Sequence, residues 1–168
     1  MIHEDNYRAW AEISVGALRD NFRLARRLTN GCKIMPVIKG DAHGHGAVAY
    51  AKVFQQEGAE AFAVACILEA IELRQAGITV PLLILGYTET CAVEELLQYD
   101  LIQSAFSVDY ARELSDEAVR CGGVLKVHAK LDTGMTRTGI FAQHDPDAAA
   151  DEVLAIDAMP GLGSILIK

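Results

Sequence analysis

The chain has 168 residues, 51% of them apolar, enough to bury one core of ordinary domain size. Its 15 basic and 23 acidic residues give a formal charge of −8 with no basic run, so a nucleic-acid backbone would be repelled. No apolar stretch approaches the roughly 20 residues that cross a bilayer, and Met1-Ile2-His3-Glu4-Asp5 lacks a basic start and an apolar core; the expectation is a cytoplasmic chain without membrane partners.

Arg8-Ala9-Trp10-Ala11-Glu12-Ile13 alternates like a strand but precedes the first helix, which sets it apart from the main sheet. The first helix is predicted from the N-cap Ser14, with Leu18, Phe22, Ala25 and Leu28 at core-facing spacing and a stop at Gly31. A strand follows over Lys33 to Ile38. The pattern recurs as helix 47–57 with strand Ala61 to Ala65, then helix 67–76 with strand Pro81 to Leu85. Helix 90–98 leads to a short strand near Ile102. Helix 108–121, capped by Ser107 and closed by Gly122, leads to strand Val124 to Leu131. Asp145-Pro146 opens one more helix, and Ser164 to Ile167 is a candidate sixth strand.

Strands apolar on both faces and alternating with helices indicate an α/β fold with a parallel sheet. A barrel and a doubly wound sheet both fit. A complete eight-unit barrel takes about 250 residues, so the reading is a partial TIM-type (β/α) barrel of about five to six βα units that stops mid-barrel. Cys32, Cys66, Cys91 and Cys121 lack the paired spacing of a zinc site and read as reduced thiols.

In such folds the reactive groups stand at the C-terminal ends of strands. Two segments stand there: Val37-Ile38-Lys39-Gly40-Asp41-Ala42-His43-Gly44-His45-Gly46, and His128-Ala129-Lys130-Leu131-Asp132-Thr133-Gly134-Met135-Thr136-Arg137-Thr138-Gly139. Taken alone, Lys39 reads as a solvated cap on an apolar run. Glycines at 40, 44 and 46 let a ligand approach the backbone, and free amides at the start of helix 47–57 would suit a phosphate. His43 and His45 have no third ligand, so no metal is assigned. Asp132 and Arg137 could form a loop salt bridge, and Lys130 could bury its stem and expose its head.

Together the two segments resemble the signatures of alanine racemases. Further resemblance runs through Trp10-Ala11-Glu12-Ile13, Glu69-Ala70-Ile71-Glu72-Leu73-Arg74 and Leu83-Ile84-Leu85-Gly86-Tyr87, to about Leu162. The resemblance implies a fold-type III pyridoxal 5'-phosphate enzyme that interconverts L-alanine and D-alanine, supplying the latter for cell-wall synthesis. In that reading Lys39 holds the cofactor as a Schiff base and serves as one of two bases at Cα. Arg137 hydrogen-bonds the phenolic oxygen of the cofactor and lies beside the substrate carboxylate. Lys130 matches a position that is carbamylated in many members and that positions this arginine. Val37 and Leu85 line the ring, and His43 stands where a tyrosine usually meets the cofactor phosphate. Serine or broad-specificity racemases, and a non-catalytic carrier of the same cofactor, are the alternatives.

The chain departs from the family pattern at Gly40, usually alanine, at Thr138, usually apolar, and at Pro36, inside a predicted strand. Family members are homodimers whose C-terminal β domain supplies a tyrosine as the second base, from the partner subunit. Gly163-Ser164-Ile165-Leu166-Ile167-Lys168 replaces the expected continuation. The expectation is therefore a truncated N-terminal barrel portion spanning 1–168, without the C-terminal β domain; the sequence leaves open whether residues 163–168 are native to the fold.

Overall fold

The computed structural model describes residues 11–164. Three helix starts are fixed by the side chains the sequence points to. Ser14 Oγ accepts from the Ala17 amide (3.2 Å) at the head of α1 (Val15–Leu28), and Ser107 Oγ accepts from Tyr110 (3.2 Å) at α6 (Val108–Arg120). Asp145 Oδ1 accepts from Ala148 (2.9 Å) at α7 (Pro146–Asp157), where proline occupies the first turn. Between them lie α2 (Lys39–Gly44), α3 (Ala47–Gln56), α4 (Ile67–Gln75) and α5 (Val93–Gln98).

The main sheet consists of β1 (Phe62–Val64), β2 (Leu82–Ile84), β3 (Ile102–Ala105), β4 (Leu125–Ala129) and β7 (Leu162–Ser164), in the order β1-β2-β3-β4-β7, with every ladder parallel. A doubly wound sheet reverses its strand order at a switch point. Here each strand lies beside its predecessor without reversal, which decides for the partial TIM-type barrel. One face of the strands, carrying Phe62, Val64, Leu82, Ile84, Leu125 and Val127, packs with Leu73, Leu96, Leu114 and Ile156 of the helices. The alternate residues Ala63, Leu83 and Ile102, with Met35 and Leu85, form a second cluster on the inner face. Each fully buried large side chain contributes about 1.5–3 kcal/mol, so the helix-facing layer dominates the stability of the fold.

Several expectations are corrected. The strand read over Lys33 to Ile38 is reduced to an isolated bridge between Val37 and Ala63. Pro36 has no amide to donate, and the Ile34 amide goes to Glu60 Oε2 (2.9 Å) instead of a ladder. Leu28 is 72% exposed, because α1 leans on α3 through Leu18 and Phe22, the latter ring 5.1 Å from Phe54. Helix 90–98 begins as a 3₁₀ turn, Thr90–Ala92. The strand read over Val124 to Leu131 ends at Ala129, and β5 (Leu131–Asp132) then pairs in parallel with β6 (Ile140–Phe141), a ladder the sequence did not announce. Of the alternating segment before α1, Ala11 to Ile13 carry no regular structure; Arg8 to Trp10, like Ile165 to Ile167, lie outside the described residues.

At the N-terminal end of the strands Arg74 holds the connecting loops. Its guanidinium donates to the carbonyls of Tyr99 (2.9 Å), Ile78 (2.9 Å), Val80 (2.7 Å) and Asp100 (3.1 Å), and burial lowers its pKa from the ordinary arginine value. Among the described residues no helix is long and apolar enough to cross a membrane.

Candidate active site

The ladder register places the inner-face residues in rows. Val37 pairs with Ala63, Ala63 with Leu83, Leu83 with Ile102, Ile102 with Lys126, and Lys126 with Gly163. Because side chains alternate with period two along a strand, the same face carries Ser104 on β3 and His128 on β4, and Leu85 lines the same cleft, while Lys39 opens α2 two residues after the bridge at Val37. Lys130 stands one step beyond His128. His128 and Ser104 are the members that sequence reasoning missed as site residues. The signal was present, since His128 lies two positions before Lys130 in the run read as a strand over Val124 to Leu131, and both line one cleft.

His128 is only 8% exposed, and neither ring nitrogen has a hydrogen-bond partner among the described residues. Burial pushes its pKa below the ordinary histidine value of 6.5, which favours the neutral ring. His128 lines a cleft of about 330 Å³ together with Leu83, Leu85, Ser104, Lys130 and Val153. Leu85 and Lys130 thus meet in one cleft. Lys39, Val37, His43 and Arg137 do not line it. Lys39 is half-buried at the end of its segment, and Val37 is 44% exposed.

The chain behind Lys39 takes an unusual course. Gly40, Asp41, Ala42 and His43 have φ/ψ of 61/46, 53/47, 51/45 and 59/35°, so α2 contains a left-handed helical turn. For non-glycine residues this conformation costs roughly 1–2 kcal/mol each, and three occur in succession. The surroundings supply compensating bonds. The Ala42 amide donates to Ile38 O (2.9 Å), those of His45 and Gly46 to Asp41 O (2.9 Å each), and His45 Nδ1 lies 2.9 Å from Ala42 O. Asp41 Oδ1 accepts from the Ala47 amide (2.7 Å), and Glu69 Oε1 accepts from that of Gly40 (2.8 Å).

This arrangement corrects one expectation. The first amide of α3 is already taken by the Asp41 carboxylate, whose charge would repel a phosphate there, so the start of that helix is not a free anion site. Gly40, by contrast, suits its place, since φ is +61°. His43 is exposed on the turn.

The loop carrying Arg137 is held from within. Asp132 Oδ1 accepts from the amides of Gly134 and Thr136 (2.9 Å each), and these bonds hold its carboxyl below the usual aspartate value. The loop salt bridge between Asp132 and Arg137 is replaced by this amide nest: the carboxylate turns to the backbone, including that of Arg137, and the Arg137 side chain is exposed. Lys130 Nζ donates to Thr138 Oγ1 (2.6 Å), so the departure from an apolar residue at 138 gives this lysine a partner. The loop closes where the Ile140 amide donates to Lys130 O (2.8 Å).

Comparison with known proteins agrees with this architecture. Residues 13–167 match the family described as alanine racemase, N-terminal domain. The alanine racemase of Clostridium perfringens is 41% identical over 153 residues, which cover 91% of this chain and 39% of that protein. Alanine racemase 1 of Caldanaerobacter subterraneus subsp. tengcongensis is 41% identical over 152 residues, covering 90% and 38%. Among solved structures, alanine racemase of Clostridium difficile 630 superposes with a TM-score of 0.87 at 35% identity, over 96% of this chain and 42% of that one. A histidine racemase of Leuconostoc mesenteroides subsp. sake superposes with a TM-score of 0.78 at 27% identity, over 89% and 40%. The chain thus spans about two fifths of the length of the relatives it matches. On sequence and on structure alike, the chain belongs to the alanine racemase family, over that family's N-terminal domain.

Proposed function

We propose that this chain binds pyridoxal 5'-phosphate on Lys39 and contributes the first half of an active site that inverts alanine at Cα. The observation that carries the reading is the face at the strand tops where His128 and Lys130 line one cleft with Leu85 and Ser104, with Lys39 opening α2 just beyond the bridge to β1 and Arg137 on the loop after Lys130, in a chain whose net charge is −8. The nearby carboxylates of Glu69, Asp41 and Asp132 are turned to backbone amides. Such a face fits a ligand that carries phosphate and carboxylate groups beside an apolar ring.

When bound, the cofactor supplies an electron sink for the carbanion at Cα. Lys39 provides a primary amine that holds it covalently and, when released and neutral, moves a proton on one face of Cα. Val37 and Leu85 shield the ring from water. Arg137 offers a planar, permanently charged fork to the phenolic oxygen and the substrate carboxylate. Lys130 supports Arg137, with carbamylation turning a repelling neighbour into an attracting one. His43 donates a ring N–H toward the phosphate. The opposite-face base, the homodimer and a cytoplasmic role in supplying D-alanine belong to this reading through the family resemblance alone. One structural neighbour is a histidine racemase, so histidine joins alanine and serine as a substrate to compare.

The chain is incubated with pyridoxal 5'-phosphate, reduced with borohydride and mapped by peptide mass. A pyridoxyl group is expected on Lys39 and absent in K39A; wild-type chain without that label sinks the proposal. Solvent deuterium at Cα is then followed with L-alanine, L-serine and L-histidine. Label without exchange would point to a cofactor carrier instead.

A further inference from the structure

We propose that Glu69 is the positioning residue for Lys39, its carboxylate splicing the sheet together at the point where the chain leaves it for the left-handed turn. This rests on the reading of Lys39 as the cofactor lysine. The single parallel bridge between the Lys39 segment and β1 is made by the Ala63 amide donating to Pro36 O (3.0 Å) and the Ile38 amide donating to Ala63 O (2.9 Å). Its next rungs would join the Ala65 amide to Ile38 O and the Gly40 amide to Ala65 O. Neither is available. Ile38 O is taken by the Ala42 amide of the left-handed turn (2.9 Å), and Ala65 O by the Gly86 amide (3.1 Å).

The two stranded amides are those the Glu69 carboxylate receives: Gly40 on Oε1 at 2.8 Å and Ala65 on Oε2 at 2.7 Å. Glu69 is the third residue of α4, where a glutamate ordinarily returns to the amide of its own N-cap. Here it reaches one residue further back and across to a second segment. Its two oxygens thus tie the amide that follows Lys39 in the chain to the Ala65 amide of the neighbouring segment, so the carboxylate sets where the lysine stem leaves the sheet. An amide side chain at 69 would accept one of the two N–H groups and present its own N–H to the other.

The test compares the wild-type chain with E69Q, and with E72A as a control at an exposed position of the same helix. Hydrogen exchange should show the Gly40 and Ala65 amides protected in the wild type and released in E69Q. Affinity for pyridoxal 5'-phosphate, read from its visible band, is expected to fall about tenfold in E69Q and to stay within about twofold in E72A. The midpoint of the pH profile for borohydride-fixed incorporation reports the surroundings of the Lys39 amine, and it is expected to move in E69Q. A role confined to stabilising α4 would leave it in place. An E69Q chain that keeps the wild-type midpoint overturns the proposal, whatever its melting temperature. Should the wild type take no label on Lys39, the proposed function fails separately, and the splice is judged on exchange alone: unprotected Gly40 and Ala65 amides in the wild type overturn it.

Discussion

The two loops that carry the basic groups of the site solve one problem in different ways. Each leaves a strand top, each presents a cation, Lys39 or Arg137, and each is anchored by carboxylate oxygens accepting backbone N–H groups. In the Arg137 loop the carboxylate belongs to the loop itself, Asp132 reaching amides two and four residues ahead. In the Lys39 loop one anchor, Asp41, is local, but the other, Glu69, comes from a separate helix 29 residues away. A loop held by its own side chain depends little on the rest of the fold. The backbone behind Lys39 depends on the correct docking of α4 and β1.

The largest effect is expected from G139A. A Cβ there would meet Asp132 N at 2.8 Å and Lys130 O at 2.9 Å, at a φ of +131°. Neither contact can yield without parting β5 from β6. The loss in stability should be on the order of 2–3 kcal/mol, read from denaturant melts, with new proteolytic cleavage confined to the Arg137 loop. Wild-type stability would show that this ladder does not fix the loop.

D41A addresses the other side. Removing the acceptor for the Ala47 amide should cost about 1 kcal/mol and raise hydrogen exchange over residues 40–47, leaving the Arg137 loop untouched. Equal exchange in both proteins would mean that the distant anchor alone suffices.

Acid gives the smallest and most local effect. The folded-state carboxyl of Asp132 titrates below its ordinary value of 3.8, so its stabilisation is complete above that value and is lost as pH falls through the lower folded one. Protection of the Gly134 and Thr136 amides should collapse in that window in the wild type. In D132N it should be weak at every pH. A D132N loop that keeps the wild-type acid transition would assign the titration to another group.

Much of this was legible in the residues themselves. Ser14, Ser107 and Asp145 start helices because a cap acts over three residues, and residue type with spacing is all it needs. The cleft that His128 and Lys130 share is likewise legible in their spacing of two within a run read as a strand. Thr138 illustrates the limit, for its hydroxyl looked like a departure from an apolar position until the loop closed and brought it to Lys130.

The sequence by itself determined the alternation of strands and helices, the helix caps, the basic groups at the strand tops and the family they resemble. Each of these follows from local residue order. Only the tertiary structure decided between a barrel and a doubly wound sheet, since strand order is a property of which ladders form. It also decided that the Lys33 to Ile38 segment would pair at one bridge, that α3 would spend its first amide on Asp41, and that Glu69 would stand in for two missing rungs beside Lys39. The rungs are missing because the left-handed turn diverts Ile38 O and the next strand takes Ala65 O, and no reading of neighbours along the chain contains that competition.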